Sequence, residues 1–231
     1  LTIKKKLSKK NIISFYFILL LMLLQGFVGW YMVKSGLVDR TDVSQYRLSL
    51  HLTLAIIIFC ILFWNYLKNI SQNNFESNIK IFFYLPVIFL IILILQISLG
   101  AFVSGLDAGQ IYQSWPLMNR SYFPDDSMFS DLFSLKVFET PSLAQFTHRN
   151  VAYVMLVFFL VILFIVYKND DLANLRKSAI LVFLLLLLQL FLGILTIIFG
   201  AQIFFASMHQ LGSIVLLTAT LILVFKNSRI N

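Results

Sequence analysis

Six stretches of this 231-residue chain each run for about twenty residues with almost unbroken apolar character. A hydrocarbon core about 30 Å thick takes about 20 residues of helix to cross, and within it a spanning segment must satisfy its own backbone as a helix or a closed barrel. The stretches cover 12–33, 46–67, 79–103, 143–167, 178–199 and 204–225, well beyond the roughly 9–11 residues of a barrel strand. The sequence therefore predicts an all-α, polytopic membrane protein with six transmembrane helices. Pro86, near the start of the third stretch, is expected to kink it, and Gly200-Ala201-Gln202 to form a short turn between the last two. Composition agrees: 12% of residues are charged, about half the share in soluble domains.

The net charge of +8 does not point to nucleic acid, because the basic residues lie in loops and tails, where they act as orientation signals. Lys4, Lys5, Lys6, Lys9 and Lys10 are expected to keep the N-terminal end cytoplasmic. Alternating from there, inner segments also hold Lys68, Lys80, Lys168, Arg176, Lys177, Lys226 and Arg229. Outer segments hold only Lys34, Arg40, Arg47, Arg120, Lys136 and Arg149, six of the eighteen basic residues. The lone Cys60 excludes an internal disulfide and is expected to serve as a small apolar core residue.

The three histidines fall in matching places. His51, His148 and His209 each lie about 5 to 8 residues into a span that runs inward from the outer face, roughly 7 to 12 Å deep at 1.5 Å per residue. An ionisable side chain inside a membrane is expensive and marks a functional site, and neutral imidazole is the usual ligand of haem iron. The plainer alternative for any one of them is a hydrogen bond to a neighbouring helix. The outward-running helices carry Gln-x-x-x-Gly at Gln25–Gly29, Gln96–Gly100 and Gln189–Gly193. An outward helix with this motif followed by an inward helix with histidine is thus a unit repeated three times. The motif itself is expected to serve helix packing rather than direct chemistry. A bis-histidine haem site in a four-helix bundle takes two units. Units two and three complete one bundle, joining His148 to His209, and His51 is left without a partner. The chain opens on Leu1, and it is expected to be the later part of a longer protein.

Other polar residues keep two readings. Arg47, one turn before His51, and Arg149, beside His148, suit haem propionates or interfacial anchoring. Met208 neighbours His209 and points about 100° away around the helix, so core packing is expected. The outer loop 105–141 is long and rich in aromatics, with Tyr112, Trp115, Tyr122, Phe123 and Phe129, and is expected to lie over the histidine side as a lid. Asp107 suits a turn better than acid–base chemistry.

Gln25-Gly26-Phe27-Val28-Gly29-Trp30-Tyr31-Met32-Val33-Lys34-Ser35-Gly36-Leu37 and Val43-Ser44-Gln45-Tyr46-Arg47-Leu48 resemble the heme A synthase family, of the type found in mitochondria and alphaproteobacteria. Gly100-Ala101-Phe102-Val103-Ser104-Gly105-Leu106-Asp107-Ala108-Gly109, Trp115-Pro116-Leu117-Met118, Gln145-Phe146-Thr147-His148-Arg149 and His209-Gln210 continue the likeness across the chain. Asn150 and Gln110 depart from it, standing where apolar residues are expected. The resemblance implies eight helices in two pseudo-symmetric four-helix bundles. Residues 1–78 would then be the second half of the N-terminal, substrate-haem bundle, and 79–231 the C-terminal bundle. It implies oxidation of the methyl group of heme O to the formyl group of heme A, for cytochrome oxidase assembly.

By the same likeness, a resident haem b would sit on His148 and His209, with electrons leaving through it. His51 would be one member of the catalytic, substrate-haem pair, all three histidines acting as axial iron ligands and Arg47 and Arg149 as further cofactor-binding residues. The other member of the substrate pair and an assisting carboxylate would lie upstream of Leu1. The chain alone is thus expected to bind the resident haem but not to catalyse. The location implied is the bacterial inner membrane, or the mitochondrial inner membrane if organellar. Heme O synthase is implied as a supplier of substrate, the redox partner is left open, and homo-oligomerisation is allowed. Two rivals remain at this level: a haem-b electron-transfer subunit of a quinone-linked dehydrogenase, in which His51 would have no role, and a haem-free transporter with histidines in a proton path.

Overall fold

The computed structural model describes residues 9–34, 42–70, 81–82 and 84–229. Lys4, Lys5, Lys6, Arg40 and Lys80 of the charge distribution, and Ser35-Gly36-Leu37 of the quoted motif, lie outside them. Six long helices carry the fold: α1 (Lys9–Val33), α2 (Gln45–Ile70), α3 (Tyr84–Gly105), α4 (Pro141–Lys168), α5 (Ala173–Ile198) and α6 (Ile203–Ser228). All six contain a segment long and apolar enough to cross a membrane, and the chain is a multi-pass membrane protein. The expected spans agree with these bounds within a few residues, except at the starts of α3 and α5, which differ by five residues each.

The start of α3 removes one expectation. The helix begins at Tyr84, so Pro86 lies in its first turn, where no i−4 carbonyl within the helix is there to lose a bond, and it introduces no kink. The α5–α6 turn forms as expected, with Gly200 and Ala201 both in the left-handed region at φ 59° and 57°.

Helices α3 to α6 pack as a four-helix bundle. Neighbours around it are α3 with α4, α4 with α5, α5 with α6, and α6 with α3, so α4 and α6 lie diagonally across. Helix α2 packs on α3 and α6, and α1 packs on α2. Where α2 starts, its backbone is so close to the end of α3 that a Cβ on Gly105 would lie 2.9 Å from Cα of Gln45. Hydroxyls join the same helices lower down: Ser49 donates to the Ser98 carbonyl at 3.1 Å, and Thr53 and Ser98 share a bond at 2.7 Å.

The densely packed core, including Phe89, Leu93, Phe159, Ile162, Val182, Leu217 and Leu221, fills the half of the bundle away from the histidines. At the histidine end no residue from Leu190 to Val215 is buried. Cys60 packs half-buried against the edge of the core, as expected. Met208 corrects an expectation: it is 38% exposed. With His209 turned inward, a residue about 100° away faces the lipid side, where an apolar side chain is equally at home.

Residues 106–140 form a cap held to α4 and to the α5–α6 turn. Short 3-10 turns at Ala108–Gln110, Phe129–Phe133 and Leu135–Phe138 shape it, and it rests on the α5–α6 turn through Gln113 against Gly200 and Gly109 against Ala201. Asp107 takes the left-handed conformation at φ 49°, which ends α3 and opens this segment. Its role is in the turn.

Candidate functional site

The histidines stand six, seven and six residues past the first residues of α2, α4 and α6 (51 − 45, 148 − 141, 209 − 203). All three helices start at one end of the molecule, so the imidazoles share a depth of about 9 to 11 Å at 1.5 Å per residue. His148 and His209, on the diagonal helices, meet at the bundle centre. Their ring centroids are 6.4 Å apart and their planes 82° from parallel. Among the described residues no other histidine ring contacts that of His51; its ring lies beside Gln25.

Each Gln-x-x-x-Gly motif is built around the histidine that follows it. The Gln25 amide donates to the His51 carbonyl at 3.1 Å, and the Gln96 amide to the His148 carbonyl at 2.8 Å. With its amide set to suit its neighbours, Gln189 donates to the His209 carbonyl at 2.9 Å and its oxygen accepts from the Ser213 N–H at 3.2 Å. Four residues on, each glycine lies under the ring. A Cβ on Gly29, Gly100 or Gly193 would come 2.9, 3.3 or 3.2 Å from Cε1 of His51, His148 or His209. The motif does pack helices, and what it packs is the imidazole. The spacing announced a repeat; only the fold revealed its target.

Both arginines reach main-chain carbonyls. Arg47 donates to the Tyr31 carbonyl at 2.9 Å and lies 3.8 Å over the Tyr31 ring, joining α2 to α1. Buried Arg149 donates to Ser114 and Leu117 carbonyls at 2.6 and 3.5 Å, pulling the cap onto α4. Its Nε is buried without a partner. Sequence reasoning missed the rest of that attachment. Tyr122 donates to Asn150 at 2.5 Å, Trp115 to the Tyr153 hydroxyl at 2.7 Å, and Gln145 to the Tyr112 carbonyl at 3.1 Å. Asn150, which looked misplaced as a polar residue in an apolar helix, was the available signal. Inside the cap Tyr112 donates to Asp125; burial, aided by that bond, raises its phenol to about 12.

Among the described residues no three His, Cys, Asp or Glu side chains gather as a metal site. Two imidazoles this close could both bond one metal, with the remaining positions left to a ligand the metal brings. An imidazole–metal bond of about 2.0 Å, plus roughly 1.1 Å from nitrogen to ring centre, puts two rings on one metal roughly 6 Å apart. The observed 6.4 Å fits. One further feature fits a planar metal macrocycle: the weakly buried histidine end of α5 and α6.

The family model described as cytochrome oxidase assembly protein matches residues 1–221. The chain is 46% identical over 226 residues to the heme A synthase of Pelagibacter ubique (strain HTCC1062), covering 97% of this chain and 65% of that one. It is 37% identical to the heme A synthase of Rickettsia africae (strain ESF-5), covering 93% and 64%, and 38% identical to that of Wolbachia pipientis wMel, covering 95% and 61%. The chain thus spans just under two thirds of the length of these curated relatives. No solved structure matches it.

Proposed function

Because this chain belongs to the cytochrome oxidase assembly protein family, we propose that it carries the resident-haem half of a heme A synthase together with part of its substrate site. The observation that carries this is the meeting of His148 and His209 at 6.4 Å on diagonal helices. These two histidines would hold a haem b as axial ligands. When bound, that haem supplies one-electron redox chemistry. The protein's part is to fix the two imidazoles from opposite helices, to keep water away with the cap, and to set the polarity around them. The Nε–H of Arg149 has no partner within the protein and would serve a propionate carboxylate.

His51 sits in the same kind of seat, Gln25 on its carbonyl and Gly29 under its ring. That likeness supports an iron-ligating role at a second haem, the heme O whose methyl group is oxidised to a formyl group. On this reading α1 and α2, within residues 1–78, belong to the substrate bundle, and 79–231 form the resident-haem bundle. The histidine ends of α2, α4 and α6 then lie at the outer face of a bacterial inner membrane. The test has two parts. The haem-loaded chain should show a low-spin bis-imidazole spectrum that alanine at either His148 or His209 abolishes. Native membranes supplied with heme O should yield heme A by mass spectrometry, and His51→Ala should stop the yield while leaving the low-spin spectrum in place. A low-spin spectrum insensitive to both substitutions overturns the reading.

A further inference from the structure

The Gln96–His148 contact leaves two buried polar atoms without partners on residues that already touch. The amide nitrogen of Gln96 is bonded to the His148 carbonyl, while its Oε1 and the Nδ1 of His148 are both buried and unsatisfied. A buried polar atom without a bond costs about 1–3 kcal/mol. One hydrogen bond would satisfy both of these atoms, provided Nδ1 carries the ring proton. An imidazole that ligates a metal through one nitrogen nearly always gives the N–H of the other to an acceptor, which fixes its tautomer and orientation. The alternative, that Gln96 merely holds α3 to α4, is weak in magnitude. Interhelical hydrogen bonds in membranes average only about 0.6 kcal/mol.

Resting on the haem reading above, we propose that Gln96 is a positioning residue for His148. Its amide nitrogen holds the histidine main chain, and its amide oxygen takes the Nδ1 proton, leaving Nε2 as the nitrogen for iron. The third unit differs: the oxygen of Gln189 is taken by the Ser213 N–H, and its nitrogen lies 3.3 Å from the His209 Nδ1. The two histidines are therefore held differently, and only His148 would give its Nδ1 proton to a neutral amide acceptor.

The experiment is a redox titration of the haem-loaded chain and four variants: Gln96→Leu, Gln96→Glu, Gln189→Glu and Gln145→Leu. Removing the acceptor in Gln96→Leu makes the imidazole a poorer donor. The ratio of oxidised to reduced haem at a fixed solution potential should fall about threefold to tenfold, which is about 30 to 60 mV at 59 mV per tenfold for one electron. Gln96→Glu, a stronger acceptor, should raise that ratio beyond the rise in Gln189→Glu, which carries the same charge at the matching place on the other ligand. Gln145→Leu, whose parent side chain bonds the Tyr112 carbonyl, should leave the ratio unchanged.

An unchanged ratio in Gln96→Leu, or equal rises in the two Glu variants, overturns the proposal. If Gln96→Leu loses haem while Gln96→Glu keeps it, the acceptor role stands. If both lose haem with helix content intact, the role is packing alone and the proposal fails. A parent chain without a bis-imidazole spectrum overturns instead the haem reading beneath it.

Discussion

A Cβ on Gly100 would lie 3.3 Å from Cε1 of His148, so the bare glycine is what lets the Cε1 edge of the ring come this close to α3. The same holds for Gly193 under His209 at 3.2 Å, and more tightly for Gly29 under His51 at 2.9 Å. Alanine at Gly100 or Gly193 should push the ring aside by a few tenths of an ångström. Overpacking of this kind costs about 1–3 kcal/mol, so haem retention, measured by competition with a haem-binding protein, should fall about tenfold. Gly26, with nothing within 4 Å of its Cβ position, should accept alanine without effect.

The paired histidines, 6.4 Å apart, should behave as one unit. Substituting either His148 or His209 by alanine should convert low-spin haem to a high-spin or weakly held form in the visible spectrum. The double variant should be no worse than the weaker single one. His51→Ala should change neither feature.

Arg149 joins the cap to α4 through two carbonyls. Hydrogen bonds from a charged donor contribute about 1.5–3 kcal/mol each, and Arg149→Leu leaves the Ser114 and Leu117 carbonyls without that donor. The expected outcome is a cap cleaved faster by protease near Ser114–Arg120, with the bis-imidazole spectrum retained. Loss of the spectrum with an intact cap would show that the Nε–H contact to a propionate outweighs the hold on the cap.

The Tyr112 phenol makes the cap sensitive to base. Its folded value of about 12 lies above the ordinary 10.0, so as pH rises the released cap loses the proton first. The contribution to stability is fully present below about pH 10 and disappears as the pH climbs towards 12. Protease sensitivity of the cap should rise across that window in the parent chain. In Tyr112→Phe, which keeps the ring but has no phenol to titrate, the rise should be absent.

Much of the fold was legible because membrane helices announce themselves locally. The spans of α1, α2, α4 and α6 followed from length and hydropathy, and the left-handed turn at Gly200 and Ala201 from residues that punctuate a chain. Pro86 was misjudged because the third helix starts later than its apolar run. The equal depth of His51, His148 and His209 also followed, since depth is only a count from the start of each helix.

What the sequence by itself determined, then, is where each helix runs and how deep each histidine lies. Only the tertiary structure decided which way each helix is rolled about its axis. That roll brought His148 opposite His209, sent Met208 outward, set Gly29, Gly100 and Gly193 beneath imidazoles, and gave Arg149 to the cap. The reason is physical. In water a polar face marks the outside of a helix, but lipid is as apolar as the interior of the bundle. A helix apolar all round therefore carries little record of its inner face, and close packing against its neighbours has to supply it.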